Sequence, residues 1–433
     1  MISLRQFSLP IFFKFASLAI SVLIHIWIAR KIGIYGVGII SLATTALNIA
    51  LKFTLFGFEQ STIRNISTRK SDRNPTINYF LDAVLLTSCL SLIVTLFIAL
   101  YIQSSQNFSA DVVTLLSILL YILPLITLKT LGDATLIGLG YNAQNIFVTT
   151  ILHQTVYGLV LLVAYLNSEE MTAEIVLYSM LLAYIICFFY TWIYLYFNNA
   201  IERLFFPFTL TKGLREKLNI LSKNFNFFFI SIFSVLFFSL DKLMLGILTS
   251  AENVGLYTVA FRVASLLSLS LVIANALISN KVASLYAEGN RKKLEKLVHR
   301  TTILCLLVTL PLFIIILVFP KQILSLWGEE FLAGTSCLIF LAFSHIINVL
   351  TGCIGILLNM TKNEKYVTYH LIVFTGVNFL LNWILIPLYG ASGAALATGI
   401  TTASMNVSLC YLVYRRLAIT AFSFRALRNL VAS

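Results

Sequence analysis

The chain has 433 residues, 59% of them hydrophobic and only 11% charged, with 30 Lys and Arg against 17 Asp and Glu for a formal net charge of +13. A soluble domain carries about 25% charged residues; no water-soluble interior hides this much apolar surface, so a soluble fold is excluded and the bilayer has to act as solvent. The positive excess would suggest nucleic acid in a soluble chain, but here it falls mostly in short loops between apolar runs, which is a topology signal and not a nucleic-acid site.

A helix needs about 20 apolar residues to cross the hydrocarbon layer. The first candidate begins in MISLRQFSLPIFFKFASLAI. It has no small-x-small cleavage site and its apolar run continues to Ile28, so it reads as an uncleaved first helix and not a signal peptide. In chain order the predicted spans are 9–29, 36–58, 78–101, 112–131, 145–166 and 174–197, then 222–248, 254–278, 301–320, 331–358, 367–387 and 393–414. The fold class is therefore an all-α integral membrane protein with about 12 transmembrane helices. Arg30–Tyr35 and Leu388–Ser392 are short enough to be tight turns. The basic stretch 199–221 reads as an amphipathic interfacial linker. It divides the chain into an N-lobe, 1–205, and a C-lobe, 206–433, of six helices each.

Orientation follows from the loops. With the N-terminus inside, the cytoplasmic segments hold most of the Lys and Arg, among them Arg64 and Arg69, Arg203 and Lys212, Arg291 to Arg300, Lys362 and Lys365, and Arg415 and Arg416. The outer loops hold Arg30, Lys31, Lys321 and Lys242, and loops 102–111 and 167–173 hold none. This bias predicts N-in and C-in. A weak repeat is also visible. KIGIYGVGIISLA opens helix 2 and NVGLYTVAFRVAS opens helix 8, so Gly33 and Tyr35 match Gly255 and Tyr257. That placement suggests duplicated halves, as in secondary transporters with a site between them; the alternative is a common interfacial pattern.

Charges inside spans are the candidate functional residues, because each costs on the order of 3 kcal/mol unless it faces water or a partner. Lys14, Lys52, Lys129 and Arg262 fall within spans, with Arg30 and Lys31 at the outer end of helix 1. The acids are Asp82 and Asp241. Lys129 and Asp82 lie near a cytoplasmic end, where snorkelling is the simpler reading, and Lys14 allows either. Lys52 and Arg262 are deeper. Asp241 either pairs with Lys242 to close the outer end of helix 7 or pairs with Arg262, or serves ion coupling. On helices 1, 2 and 8 the intramembrane charges are all positive, which suits an anionic cargo, pyrophosphate above all. An exporter of organic cations is expected to show acids there instead.

Other chemistry is sparse. The five histidines, His25, His153, His299, His345 and His370, show no paired metal spacing; a proton-relay role stays open for His25, His153 and His345. The six cysteines lie in apolar runs with no CxxC. No metal, no cofactor and no Walker loop is indicated, and GASGAALATGI (390–400) is a helix-packing stretch.

SLDKLMLGILTSAENVGLYTVAFRVASLL (239–267), LWGEEF (326–331) and NWILIPLYGASGAALATGITTA (382–403) carry a recognisable pattern, joined by ARKIGIYGVGIISLA (29–43) and LFGFEQSTIR (55–64). The chain resembles polysaccharide exporters of the multidrug/oligosaccharidyl-lipid/polysaccharide (MOP) superfamily, most closely the O-antigen flippases (Wzx-type), over nearly its whole length. The resemblance implies a MATE-like transporter, two six-helix lobes forming a V around a cationic central cavity. It would flip an undecaprenyl-pyrophosphate-linked oligosaccharide, an O-antigen or related lipopolysaccharide repeat unit, from the cytoplasmic to the periplasmic leaflet of a bacterial inner membrane by alternating access. It also implies a non-enzyme, the bilayer as partner, H+ or Na+ coupling, and work beside a polysaccharide polymerase and chain-length regulator. Lys52 and Arg262 stand where relatives have cavity cations, with Lys14 and Arg30 as the helix 1 matches; lysine at 14 and 52 loses the bidentate fork but keeps the charge. The alternatives are a cation-coupled drug or metabolite antiporter of the same superfamily and a membrane polymerase or glycosyltransferase. The short, Arg-poor outer loops argue against the enzyme.

Overall fold

The computed structural model describes residues 4–68, 73–104, 110–167, 170–198 and 214–420, and the regular elements among them are all helical. They are α1 (Leu4–Leu55), α2 (Phe58–Thr68), α3 (Arg73–Ser104), α4 (Ala110–Leu139), α5 (Asn142–Ile146), a π turn (Phe147–Leu152), α6 (His153–Asn167) and α7 (Ala173–Phe197). Then come α8 (Leu214–Leu248), α9 (Ala251–Ser265), a 3-10 turn (Leu266–Ser268), α10 (Leu269–Ala287), α11 (Arg291–Val318), α12 (Pro320–Ser325), a second 3-10 turn (Glu329–Gly334), α13 (Thr335–Thr351), α14 (Ile354–Met360) and α15 (Glu364–Leu417).

Ten helical stretches among these residues are long and apolar enough to cross a membrane. Two of them, α1 and α15, are each broken once, at Gly33 (φ 71, ψ −179) and at Gly390 (φ 55, ψ −132), so the ten make the twelve apolar segments expected. Both breaks fall inside the predicted tight turns. A single residue suffices because glycine, lacking Cβ, enters backbone regions closed to other residues.

A break leaves the next backbone N–H without a helical partner, and both are capped alike. Ile34 N–H donates to Glu330 Oε1 at 2.8 Å, and Ala391 N–H donates to Asn253 Oδ1 at 3.3 Å. Gly33→Ala is expected to lower stability by about 1–3 kcal/mol from backbone strain, read as thermal melting in detergent. Its new Cβ also lands 3.2 Å from Glu330 Oε1. A melt unchanged from wild type would show that this break is not strained.

The structure departs from the predicted spans in several places, among them a 3-10 turn at Leu266–Ser268 within the eighth and the run of α4 to Leu139 past the fourth. The second span stops at Leu55; Phe56 (φ 43) and Gly57 (φ 78) turn the chain into α2. A Cβ at Gly57 would sit 2.6 Å from Phe228 N, so this turn lies against the backbone of α8. The fifth span is interrupted by the π turn, and the tenth is divided at Gly352 (φ 71) into α13 and α14. The interfacial linker predicted at 199–221 falls largely on 199–213, outside the described residues; the remainder begins α8.

The chain divides into two compact units. One comprises Met1–Ile32 and Ile39–Val235, the other Gly33–Gly38 and Leu236–Ser433. The division thus falls within α8, about thirty residues beyond the 205/206 boundary expected, and a short piece of α1 joins the second unit. In the first unit, Phe58, Phe80, Leu131, Leu136 and Leu195 pack α2, α3, α4 and α7 together. In the second, Val282, Val298, Val349, Leu357 and Val413 pack α10, α11, α13, α14 and α15. Leu92, Leu96 and Phe97 of α3, among many others, are exposed, as suits residues facing lipid.

Candidate functional site

Among the described residues of the first unit, four charges form two ion pairs. Lys52 sits in the last turn of α1, and the Phe56–Gly57 turn brings Glu59 of α2 back to it, with Nζ 2.7 Å from Oε2. On α4, Lys129 and Asp133 are one turn apart, the spacing at which helical side chains meet. Their Nζ and Oδ2 are 2.6 Å apart, and Thr191 of α7 donates to Asp133 Oδ1 at 3.3 Å. Lys52 and Glu59 are partly exposed, whereas Lys129 and Asp133 are buried. A charge is tolerated in such surroundings only when paired. Lys129 is therefore not snorkelling, as its sequence position suggested, but neutralised in place. Thr54 of α1 and Thr127 of α4 share a hydrogen bond at 2.8 Å, which brings the elements carrying the two pairs together, and the Glu59 charge is the smallest of the influences on Asp133.

Beside them lies His153, the first residue of α6 after the π turn. Its Nε2 is buried without a hydrogen-bond partner. Its ring packs 4.7 Å from that of Tyr184 and 6.3 Å from that of Tyr157, and it lies within the field of Lys129. π turns of this kind often mark functional sites.

In the second unit the corresponding feature is a carboxylate. Asp241 of α8 is 2% exposed. Its Oδ2 accepts from Tyr257 Oη at 2.6 Å and from Thr398 Oγ1 at 2.8 Å, and its Oδ1 accepts from Asn382 Nδ2 at 2.6 Å. Asn382 also donates to Asn378 Oδ1 at 2.9 Å. Three neutral donors from α9 and from both sides of the Gly390 break thus converge on one charge. Lys242 lies within electrostatic reach of both Asp241 and Arg262, and Arg262 is half-buried on α9.

The remaining candidates are placed as follows. Arg30 and Lys31 are exposed on α1; Lys31 Nζ donates to Tyr165 Oη at 3.0 Å and lies 4.8 Å from the centre of that ring. Lys14 is on α1, and its side chain lies outside those described. Sequence reasoning missed Glu59, Asp133, the Asn382 and Thr398 donors, and Asn378, which accepts from Asn382. The Gly–x–Tyr repeat also divides in use. Gly255 packs on the carbonyl of Ile34 and Tyr257 is buried on Asp241, whereas Gly33 is a helix break and Tyr35 is 43% exposed.

With this geometry in hand, residues 4–279 match the family model described as polysaccharide biosynthesis protein, and residues 227–384 match the MatE model. Two curated proteins of Haloferax volcanii are similar over part of the chain. The probable low-salt glycan biosynthesis flippase Agl15 is 27% identical over 169 residues, 39% of this chain and 36% of that protein. The probable flippase AglR is 25% identical over 163 residues, 37% of this chain and 34% of that one. The match therefore spans about a third of the length of either relative.

Among solved structures, the lipid II flippase MurJ superposes with a TM-score of 0.73 at 14% identity, covering 96% of this chain and 88% of its own. A multidrug resistance MATE transporter of the MOP superfamily gives 0.70 at 16% identity, covering 93% and 94%. A MOP superfamily transporter from Pyrococcus furiosus gives 0.57 at 17% identity, covering 95% and 92%. At these identities the likeness is one of fold: the chain is an all-helical, multi-pass membrane protein with a MATE- and MurJ-like fold.

Proposed function

The chain belongs to the polysaccharide biosynthesis protein family, and from that premise we propose that it is a transporter, not an enzyme, that flips a lipid-linked oligosaccharide across the cytoplasmic membrane by alternating access. The observation that carries this reading is the retention of Lys52 and Lys129 inside apolar helices, with Arg262 half-buried on α9. Cations at membrane depth are costly and serve a purpose there; Lys and Arg are the natural partners of a pyrophosphate joining lipid to glycan. The finer reading is an undecaprenyl-pyrophosphate carrier of an O-antigen or related surface repeat unit, in a bacterial inner membrane, with both chain ends in the cytoplasm. A polymerase and a chain-length regulator act on the delivered unit. The candidate substrate contacts are Lys14, Arg30, Lys52 and Arg262, and an H+ or Na+ gradient acting at Asp241, beside Lys242, drives the cycle.

Lys52→Ala and Arg262→Ala are each expected to lower surface polysaccharide at least tenfold at unchanged protein abundance, the equivalent of about 1.4 kcal/mol or more of lost binding. Undiminished polysaccharide in both variants sinks the binding role. A second reading, a cation-coupled drug antiporter, gains support from the MatE match and from the buried Asp82 and Asp133 of the first unit. The sequence alone pointed to almost no acid there. Asp133 is paired with Lys129, which withholds it from a cationic cargo as it withholds Lys129 from an anionic one. Uptake of an organic cation by everted vesicles, at a level lost in Asp133→Asn, would favour the antiporter.

A further inference from the structure

We propose that Lys129 exchanges partners during transport, leaving Asp133 for the phosphate group of the cargo, and that Asp133 then binds one proton, making the first unit a proton-uptake site. This rests on the anionic cargo proposed above.

Lys129 and Asp133 satisfy each other at 2.6 Å in a buried setting where neither ion is stable alone. Thr191 supplies Asp133 with one further hydrogen bond, too little to hold an isolated carboxylate away from water. An incoming phosphate meets the partly exposed Lys52 first. Engaging it frees Glu59, whose negative charge already acts on Asp133. The same anion draws Lys129, on its long flexible stem, out of its pair. Asp133 is then left with no cation and with a like charge on α2, and a proton from solution adds to a carboxylate oxygen to give the neutral acid. When the cargo leaves, Lys129 returns and that proton is released. Cargo and proton thus enter and leave the unit together, so this proton compensates the charge of the cargo and is not the one whose gradient drives the cycle at Asp241.

The other titratable groups around the pair are accounted for by element. α2 brings Glu59 and α4 brings Lys129. α6 brings His153, within the field of Lys129, and α7 brings Tyr184 and Cys187, within the field of Asp133. α3 contributes the buried Asp82. His153 is the rival acceptor, because its Nε2 is buried and unpartnered. Asp133 is assigned in preference to it because departure of Lys129 removes the direct ionic partner of Asp133, whereas it removes only a more distant charge from His153.

The test uses the full chain in detergent and farnesyl diphosphate as probe. Calorimetric titration at pH 7 in two buffers of different ionisation enthalpy gives protons taken up per probe bound. Asp133→Asn is expected to bind the probe but take up about one proton fewer than wild type, and His153→Gln to match wild type. Should Asp133→Asn fail to fold, Lys129→Gln/Asp133→Asn, which leaves no unpaired charge, is expected to bind the probe more weakly, through Lys52, with the same loss of proton uptake per probe bound. Binding with wild-type proton uptake in the Asp133 variants overturns the inference and leaves the flippase reading standing, as does a loss found in His153→Gln instead. No binding of the probe to the wild-type protein overturns both.

Discussion

Asp241→Ala is expected to melt roughly 10 °C below the wild-type protein, a shift that corresponds to about 3–5 kcal/mol for a unit of this size, and to export no detectable glycan. The carboxylate is buried, and Tyr257, Asn382 and Thr398 all donate to it at 2.6–2.8 Å. Its removal takes the shared acceptor from three donors at once, each costing about 1–3 kcal/mol where left unsatisfied; Asn382 keeps Asn378 and Thr398 the Ala394 carbonyl, which holds the loss below the full sum. Truncating a donor is milder, because the other two still hold the charge. Thr398→Val is therefore expected to cost only about 1 kcal/mol. The size of the gap between these variants is the decisive quantity. Melting of the solubilised protein gives the stability, and surface polysaccharide at matched abundance gives the function. Were Asp241→Ala to melt with Thr398→Val, the carboxylate would not be the hub that the geometry makes it. Asp241→Asn separates charge from shape. It keeps the volume but sets an amide among three donors, so it is expected to lose export while melting between the other two.

What the sequence disclosed depended on how local the responsible physics is. The spans were legible because each is a contiguous apolar run, and the breaks because Gly33 and Gly390 sit in the short gaps between runs. The place of Lys52 within an apolar run was legible for the same reason. Its neutralisation was not, because Glu59 reaches it only through the turn at Phe56 and Gly57, where helix had been expected to continue to residue 58. Lys129 and Asp133 show a spacing that a helix brings together. The predicted span ended at 131, however, so Asp133 fell in a loop, whereas α4 continues to Leu139. The Asp241 donors come from positions as much as 157 residues away; no periodicity in one segment encodes that convergence. The Gly–x–Tyr repeat shows the opposite failure. Its two copies are alike in letters but differ in use, since the role of a glycine depends on what approaches it.

That dependence gives the sharpest steric test, since the same substitution at different glycines is expected to give opposite results. A Cβ at Gly38 would lie 1.8 Å from the carbonyl oxygen of Ala251, and one at Gly255 would lie 2.3 Å from the carbonyl oxygen of Ile34. The obstacles are backbone atoms, so no rotamer change relieves them, and the helices must move apart by more than 1 Å to reach ordinary contact. Small residues permit backbone approach of this kind between membrane helices, and filling a packed site commonly costs about 1–3 kcal/mol. Here the displaced segment is also the one that carries the Ile34 cap on Glu330, so the loss extends to the end of the helix. Gly38→Ala and Gly255→Ala are each expected to abolish glycan export, and the double variant to lower the yield of folded protein. At Gly376, by contrast, nothing stands within 4 Å of the added carbon. Inside a helix, alanine there is expected to be neutral or to stabilise by about 0.5–1 kcal/mol. Wild-type export in Gly38→Ala would mean that the two segments are not held in backbone contact during transport. Equal harm at Gly376 would mean that the loss comes from altering helix glycines in general and not from this crossing.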